Sequence, residues 1–321
     1  MIYRYSSHFK PMAQPPDLSV RIAGVHLKNP VMTASGTFGY GREFSLLADL
    51  NRLGGIIVKG LSLNPSRGNQ PPRIAETPCG MLNAIGLENV GIEVFAAEKL
   101  PFLRTLSTPV WVNIYGKTVE EYARLAERVQ EIEGIAGVEV NISCPNVKSG
   151  GVAFGVDPEA AHAVIQAVRK KIDRPVMAKL SPNVTDITVI ARSVVEAGAD
   201  ALSLINTITG MAVDVENRRP RIANITGGLS GPAIRPVALR MVWQVAQVVD
   251  VPIVGIGGIL TPSDALEFLI AGATAVQVGT ANFVNPRATM DIIDGIEAYM
   301  LRHRFKVVTD VIGSLQCPGS V

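Results

Sequence analysis

Short β-branched runs in this chain end, one after another, in residues that can hydrogen-bond or let a ligand approach bare backbone. In order they are Ser35, Lys59, Asn113, Asn141 with Ser143 and Cys144, Lys179, Asn206 with Thr207, Gly257-Gly258 and Gly279-Thr280. Three asparagines and two lysines in such a set suit a flat, polar, partly anionic ligand. The two glycine turns belong with phosphate, because backbone N–H groups beside a helix start attract an anion and glycine removes the steric obstacle. The reactive group is a thiol. Cys144 lies in Asn141-Ile142-Ser143-Cys144-Pro145-Asn146, where Pro145 stops the strand and Gly150-Gly151 loosen the loop. Buried cysteine is often only a small hydrophobe, but this one sits among the polar strand ends. Cys79, in Pro78-Cys79-Gly80, is its competitor, and Cys317 belongs to the C-terminal tail. His8, His26, His162 and His303 all avoid the strand ends, which argues against a histidine triad or histidine metal site. Three separated cysteines make neither a disulfide framework nor a close metal-binding pair.

The elements that must position these residues alternate. After a hairpin around Gly24, spanning 18–28, strands begin at Pro30, Gly55, Pro109, Gly137, Pro175, Asp200, Val251 and Ala275, each followed by a helical pattern. Thr118 with Glu121 forms a capping box, and Asp157-Pro158 and Thr261-Pro262 place a cap before a first-turn proline. Gly134, Gly198 and Gly272 stand where helices stop. Eight strand–helix units in 321 residues predict an α/β fold, a single (β/α)8 TIM barrel with an N-terminal hairpin. Long strand-to-helix loops at 61–90 and 208–232 leave the strand ends where barrel enzymes do chemistry. An open doubly wound sheet fits less well: Ala34-Ser35-Gly36-Thr37 is no dinucleotide fingerprint, and Leu260 occupies the third glycine position after Gly255 and Gly257.

Composition narrows the function classes. Thirty Lys+Arg against 28 Asp+Glu leave a net charge of +2, too balanced for a nucleic-acid or anionic-membrane binder. With 47% hydrophobic residues and 5% aromatic, the core is filled by aliphatic side chains, as strands covered on both faces require. The mean hydropathy of +0.27 raises the membrane question. The longest uncharged stretch, 268–286, is nevertheless broken by Gly272, Thr274, Gln277 and Gly279, and reads as a helix end followed by a strand. Residues 1–17 have no apolar signal region and are expected to form a flexible tail before a barrel spanning 18–321; a reducing cytoplasm is the default compartment.

Five motifs in order carry a resemblance. They are Asn141-Ile-Ser-Cys-Pro-Asn-Val-Lys148 with Gly150-Gly151, Asn83-Ala-Ile-Gly-Leu87, Lys179-Leu-Ser-Pro-Asn183, Asn224 through Pro232, and Val278-Gly-Thr280. From the first strand to the last helix the chain resembles the dihydroorotate dehydrogenases, most of all the catalytic subunits of their NAD-linked class 1B. The resemblance implies FMN, with Ser35, Lys59, Gly60, Asn113, Asn141, Lys179 and Ile205 on the flavin and Gly231, Gly257, Gly258, Gly279 and Thr280 on its phosphate. It implies that Lys59, Asn83, Ala84, Ile85, Gly86, Leu87, Asn141, Asn206 and Thr207 bind dihydroorotate or orotate, and that Cys144 is the catalytic base. Cys79 departs from the family pattern, where a small residue such as serine is expected, and its thiol is taken as incidental.

Electrons passed on to NAD need more than this chain offers. It has no Rossmann fingerprint, and three cysteines cannot supply the four ligands of a 2Fe–2S cluster. A partner electron-transfer subunit with FAD and an iron–sulfur cluster is therefore expected, docked on a homodimer of this chain to give a heterotetramer. The alternatives are a dihydropyrimidine (uracil) dehydrogenase, a fumarate-using class 1A enzyme and a non-catalytic barrel that binds a phosphate ligand. Lys59 and Asn83–Leu87, suited to a carboxylated pyrimidine, disfavour the first, and Val147-Lys148-Ser149-Gly150-Gly151 disfavours the second. A colourless protein would favour the third.

Overall fold

The computed structural model describes residues 15–143 and 153–317. Eight parallel strands close into a barrel in chain order: β1 (Val31–Thr33), β2 (Gly55–Ile57), β3 (Val110–Ile114), β4 (Gly137–Asn141), β5 (Val176–Leu180), β6 (Ala201–Leu204), β7 (Ile253–Ile256) and β8 (Ala275–Val278). All five residues of β3, β4 and β5 are buried, as expected of parallel strands filled inside and covered by helices outside. Size complementarity sets the packing between neighbours. Trp111 on β3 is fully buried and pairs in register with Gly137 on β4, where a Cβ would stand 2.4 Å from the indole ring. Only glycine leaves room for that ring.

The barrel helices begin where the sequence marks them. Thr118, Asp157 and Thr261 cap Val119–Gln130, Pro158–Arg169 and Pro262–Ile270 through their side chains. The Thr261 cap is a full capping box with Asp264. At Thr118 the reciprocal half is displaced by one residue: Glu121 accepts from the backbone N–H of Lys117, not of Thr118. Gly134, Gly198 and Gly272 adopt φ of 81°, 101° and 114°, the left-handed region that lets the chain leave a helix end.

Two connections depart from the expected rhythm. After β1 no α-helix forms; two short 3-10 turns, Arg42–Phe44 and Leu50–Arg52, fill its place. Gly36, Gly39 and Gly41 all have positive φ, which no right-handed helix accepts. After β2 the helix is interrupted: Gly91–Val94 and Leu100–Leu103 flank a π-turn over Phe95–Lys99. Pro101 has no N–H to donate into the regular ladder.

The long connections after β2 and β6 are more ordered than loops. Together they build a four-stranded antiparallel sheet in the order Ile208–Met211, Thr226–Ser230, Gly80–Asn83, Ile74–Thr77. At the opposite end of the chain, Ala23 and Gly24 turn the hairpin Val20–Ile22/Val25–Leu27 with positive φ at both positions. Asp17, placed in the tail by the sequence, donates to Lys306 O and accepts from Val308 N at 2.8 Å each. Among the described residues no helix is long and apolar enough to cross a membrane.

The Thr261 box makes a local test. Thr261→Ala removes one cap acceptor and should lower unfolding stability by about 1 kcal/mol, seen as a lower urea midpoint at unchanged slope. An unaltered midpoint would mean that the tertiary contacts of Pro262–Ile270 hold that helix start without the cap.

Candidate active site

A cavity of about 830 Å³ opens at the C-terminal ends of the strands, walled on one side by the antiparallel sheet. Its floor is made of side chains that emerge from adjacent strands. Ser35 follows β1, Lys59 and Gly60 follow β2, and Asn113, Asn141 and Lys179 stand on β3, β4 and β5; all line the cavity. Asn113, Asn141 and Lys179 are 1%, 8% and 6% exposed, so each polar group needs a partner within the protein or in a ligand. Beneath them lies a group that sequence reasoning missed. Glu139 on β4 is fully buried and accepts from Asn113 Nδ2 at 2.6 Å, Gln277 Nε2 at 2.7 Å and Ser203 Oγ at 2.8 Å, with Lys179 Nζ at 3.6 Å. A carboxylate between Val138 and Val140 in an apolar strand was the available signal.

The glycine turns form a second wall. Gly231, Gly257 and Gly258 have φ of 94°, 132° and 71°. A Cβ on Gly257 would stand 2.7 Å from the Ala238 Cβ, and one on Gly258 would stand 2.7 Å from the Arg235 Cβ and 2.8 Å from Gly231 O. Bare backbone is therefore a steric necessity there. Asp264 accepts from the N–H groups of Leu260 and Thr261 and pairs with Arg235, which opens the helix Arg235–Ala246. That pairing ties the turn after β7 to a helix start. Gly279 is less constrained, its Cβ position meeting Ala34 at an ordinary 3.4 Å, while Thr280 donates its hydroxyl hydrogen to Ser230 Oγ at 2.9 Å.

The segment Asn83–Leu87 supplies the third wall, and it is fixed from behind. Gly86 and Leu87 both have positive φ, and a Cβ on Gly86 would meet Asn69 N at 2.6 Å. Leu87 O accepts from Tyr115 Oη and from Asn89 Nδ2, each at 2.9 Å, and Ala84 O accepts from Asn69 Nδ2 at 2.9 Å. With its carbonyls engaged outward, the run turns Asn83 through Leu87 to the cavity. Lys59 faces this wall. Burial pushes its ammonium below the ordinary lysine range; Glu88 works against that shift and Arg73 adds to it. Arg73 and Glu88, paired to each other, also line the cavity and were not foreseen.

Opposite, Asn141 Oδ1 accepts from Asn206 Nδ2 at 3.3 Å and from Ser143 N at 3.1 Å, and Asn206 Oδ1 accepts from Thr207 N at 2.8 Å. These hydrogen bonds hold the two amides in place along the cavity. Ile205 adds an apolar surface beside them, and Gly231, Gly257, Gly258, Gly279 and Thr280 complete the lining on the far side. Cys144 lies outside the described residues. Ser143, which immediately precedes it, and Ala153, where description resumes, both line the cavity. Cys79 is exposed and is not among the lining residues.

The arrangement offers a polar, lysine-bearing floor, a backbone cradle for an anion and an amide-rich wall within one enclosure. Comparison with known proteins agrees with it. The family model described as dihydroorotate dehydrogenase matches residues 17–300. The NAD(+)-linked dihydroorotate dehydrogenase B catalytic subunit of Geotalea uraniireducens is 63% identical over 300 residues, covering 94% of this chain and 98% of the relative. That of Geotalea daltonii is 64% identical over 301 residues, covering 94% and 99%. The Geobacter metallireducens subunit of the same name is 61% identical over 301 residues, again covering 94% and 99%. The sequence match runs over almost the whole chain, which belongs to the dihydroorotate dehydrogenase family.

Proposed function

We propose that this chain oxidises (S)-dihydroorotate to orotate in de novo pyrimidine biosynthesis, with FMN as its resident cofactor and NAD as the eventual electron acceptor. The observation that carries the reading is the division of one cavity between a backbone-only cradle at Gly231, Gly257 and Gly258 and a lysine-and-amide floor. The residues fit the group. Side chains at Gly231, Gly257 and Gly258 would collide with neighbouring protein atoms, so the cradle offers a phosphate backbone alone; the volume holds a flavin with a small pyrimidine, and the cavity-lining Ser143 has a buried Oγ with no hydrogen-bond partner among the described residues.

In this reading Ser35, Lys59, Gly60, Asn113, Asn141, Lys179 and Ile205 hold the flavin ring, and Gly231, Gly257, Gly258, Gly279 and Thr280 hold its phosphate. When bound, FMN supplies a hydride acceptor for the hydrogen leaving C6 of dihydroorotate. The chain's own residues do the rest. Lys59 attracts the substrate carboxylate, and Asn83, Ala84, Ile85, Gly86 and Leu87 enclose it. Asn141, Asn206 and Thr207 read the amide edges of the pyrimidine, where an analogue lacking them leaves buried groups unpaired. Cys144 takes the proton from C5. A free thiol near pKa 8.5 is only about 3% thiolate at pH 7, so the rate rises as the solution becomes more alkaline until the thiol is fully ionised.

The onward route to NAD requires a partner. The relatives are named catalytic subunits of NAD(+)-linked enzymes, and this chain has fewer cysteines than a 2Fe–2S cluster needs. An electron-transfer subunit carrying FAD and the cluster, docked on a homodimer of this chain in the cytoplasm, completes the enzyme.

The absorbance spectrum and acceptor range test the reading together. The purified chain should be yellow and should reduce a dye with dihydroorotate, while leaving NAD+ untouched and turning over dihydrouracil poorly. A colourless chain with no dye reduction would overturn it; efficient NAD+ reduction by the chain alone would overturn the partner. Cys144→Ser should keep FMN and slow flavin reduction by roughly 10²–10⁴-fold near neutral pH, read by stopped flow; near-wild-type reduction would remove Cys144 from the mechanism. Because burial lowers Lys59 from 10.5, its charge is lost at lower pH than that of a surface lysine. Orotate affinity should therefore fall as pH rises through that lowered range, and Lys59→Ala should weaken binding and flatten the fall. A profile unchanged in the variant would take Lys59 off the carboxylate.

A further inference from the structure

Glu139 sits one layer below the cavity and does not line it, whereas two of the side chains it holds, Asn113 and Lys179, do. Three of its neighbours donate a hydrogen bond to it, an amide at 2.6 Å, a second amide at 2.7 Å and a hydroxyl at 2.8 Å, and a fourth, an ammonium at 3.6 Å, pairs with its charge. A site furnished with donors on all sides is built for a carboxylate. We propose that Glu139 is a positioning residue that sets the charge Lys179 presents to the ring above it, and with it the ease of reducing that ring. The proposal rests on the reading that the ring is FMN.

The physical case is the field of a pair. Lys179 alone would present a full positive charge to the cavity from a side chain that water barely reaches, being 8% exposed. An opposite charge 3.6 Å behind it turns that monopole into a dipole, whose field falls faster with distance. Reduction places negative charge on a bound flavin ring. An unopposed lysine would favour the reduced state strongly, and the carboxylate moderates that preference. Its other contacts add orientation. With Asn113 Nδ2 engaged by Glu139, the amide turns Oδ1 toward Gly60, where a Cβ would stand 2.8 Å from it. Asn113 thus presents an acceptor, not a donor, at the strand end. Among the described residues Gln277 Oε1 has no partner, so its amide can rotate to meet a neutral replacement of Glu139.

A residue serving only as core glue would cost stability when changed but leave the flavin's redox equilibrium alone. The two roles separate in the midpoint potential, measured by dye equilibration on FMN-loaded protein. Glu139→Gln should favour the reduced flavin by at least about tenfold, equivalent to roughly 30 mV for a two-electron couple, whereas Glu139→Asp, which restores the charge, should return most of the way to wild type. Lys179→Met should move the potential down. The double variant Glu139→Gln/Lys179→Met should lie above Lys179→Met by the same factor, and that comparison decides the matter even if Glu139→Gln does not fold alone, since it neutralises both ends of the buried pair. Yellow variants with unchanged potentials, however unstable, would overturn the proposal. A wild-type chain that holds no FMN would instead overturn the reading beneath it, and this proposal with it.

Discussion

A carboxylate inside a barrel of aliphatic strands is tolerable only if it is fully ligated, and the ligation of Glu139 organises the layer beneath the site. Breaking such a group away from its partners costs about 3–5 kcal/mol, so the donors on β3, β5, β6 and β8 are held to one arrangement around β4. Five of the eight strands thereby share a polar node at a fixed height in the barrel. The parallel pairing sets Asn113 beside Glu139 and, two residues further along the strands, Asn141 beside Lys179. The geometry of the floor follows from strand register and one buried charge, with no loop needed to define it.

The opposite strategy governs the cradle. There the side chains have been removed, and three glycines with positive φ give the ligand backbone alone. Such turns are conformationally loose in isolation, so their position has to be imposed from outside. Asp264 does this by accepting two backbone N–H groups of the turn while pairing with Arg235 on the neighbouring helix. Floor and cradle are rigid for different reasons, one from inside the barrel and the other from the helix layer.

Much of this was legible in the residues. Every strand begins within two residues of its expected start, and each expected site residue that the structure describes lines the cavity. Strand ends are readable because a run buried on both faces must be apolar until it emerges, so the first polar residue marks the rim. Glu139 escaped for a related reason: it breaks that rule two residues before the polar strand end at Asn141, and only its partners on β3, β5, β6 and β8 explain it. The antiparallel sheet was read as two loops, since its central pairing sets Asn83 against Gly228 and no local pattern encodes so remote a register. The missing first helix was in principle visible in Gly36, Gly39 and Gly41, three left-handed positions in six residues.

That sheet also fixes the wall formed by Asn83–Leu87. Asn83–Leu87 carries two consecutive positive-φ residues, one of them Leu87, whose side chain makes that conformation unfavourable by about 1–2 kcal/mol. A free loop would relax. Here Asn83 is locked at the end of a paired strand, and Leu87 O is held by Tyr115 and Asn89. The cost is met by contacts outside the cavity, which leaves the inner face of the segment open to the cavity. Two connections that leave different barrel strands thus have to fold against each other before the wall exists. The shape of this wall depends in this way on the longest-range pairing in the sheet, while the floor depends on the register of the barrel strands.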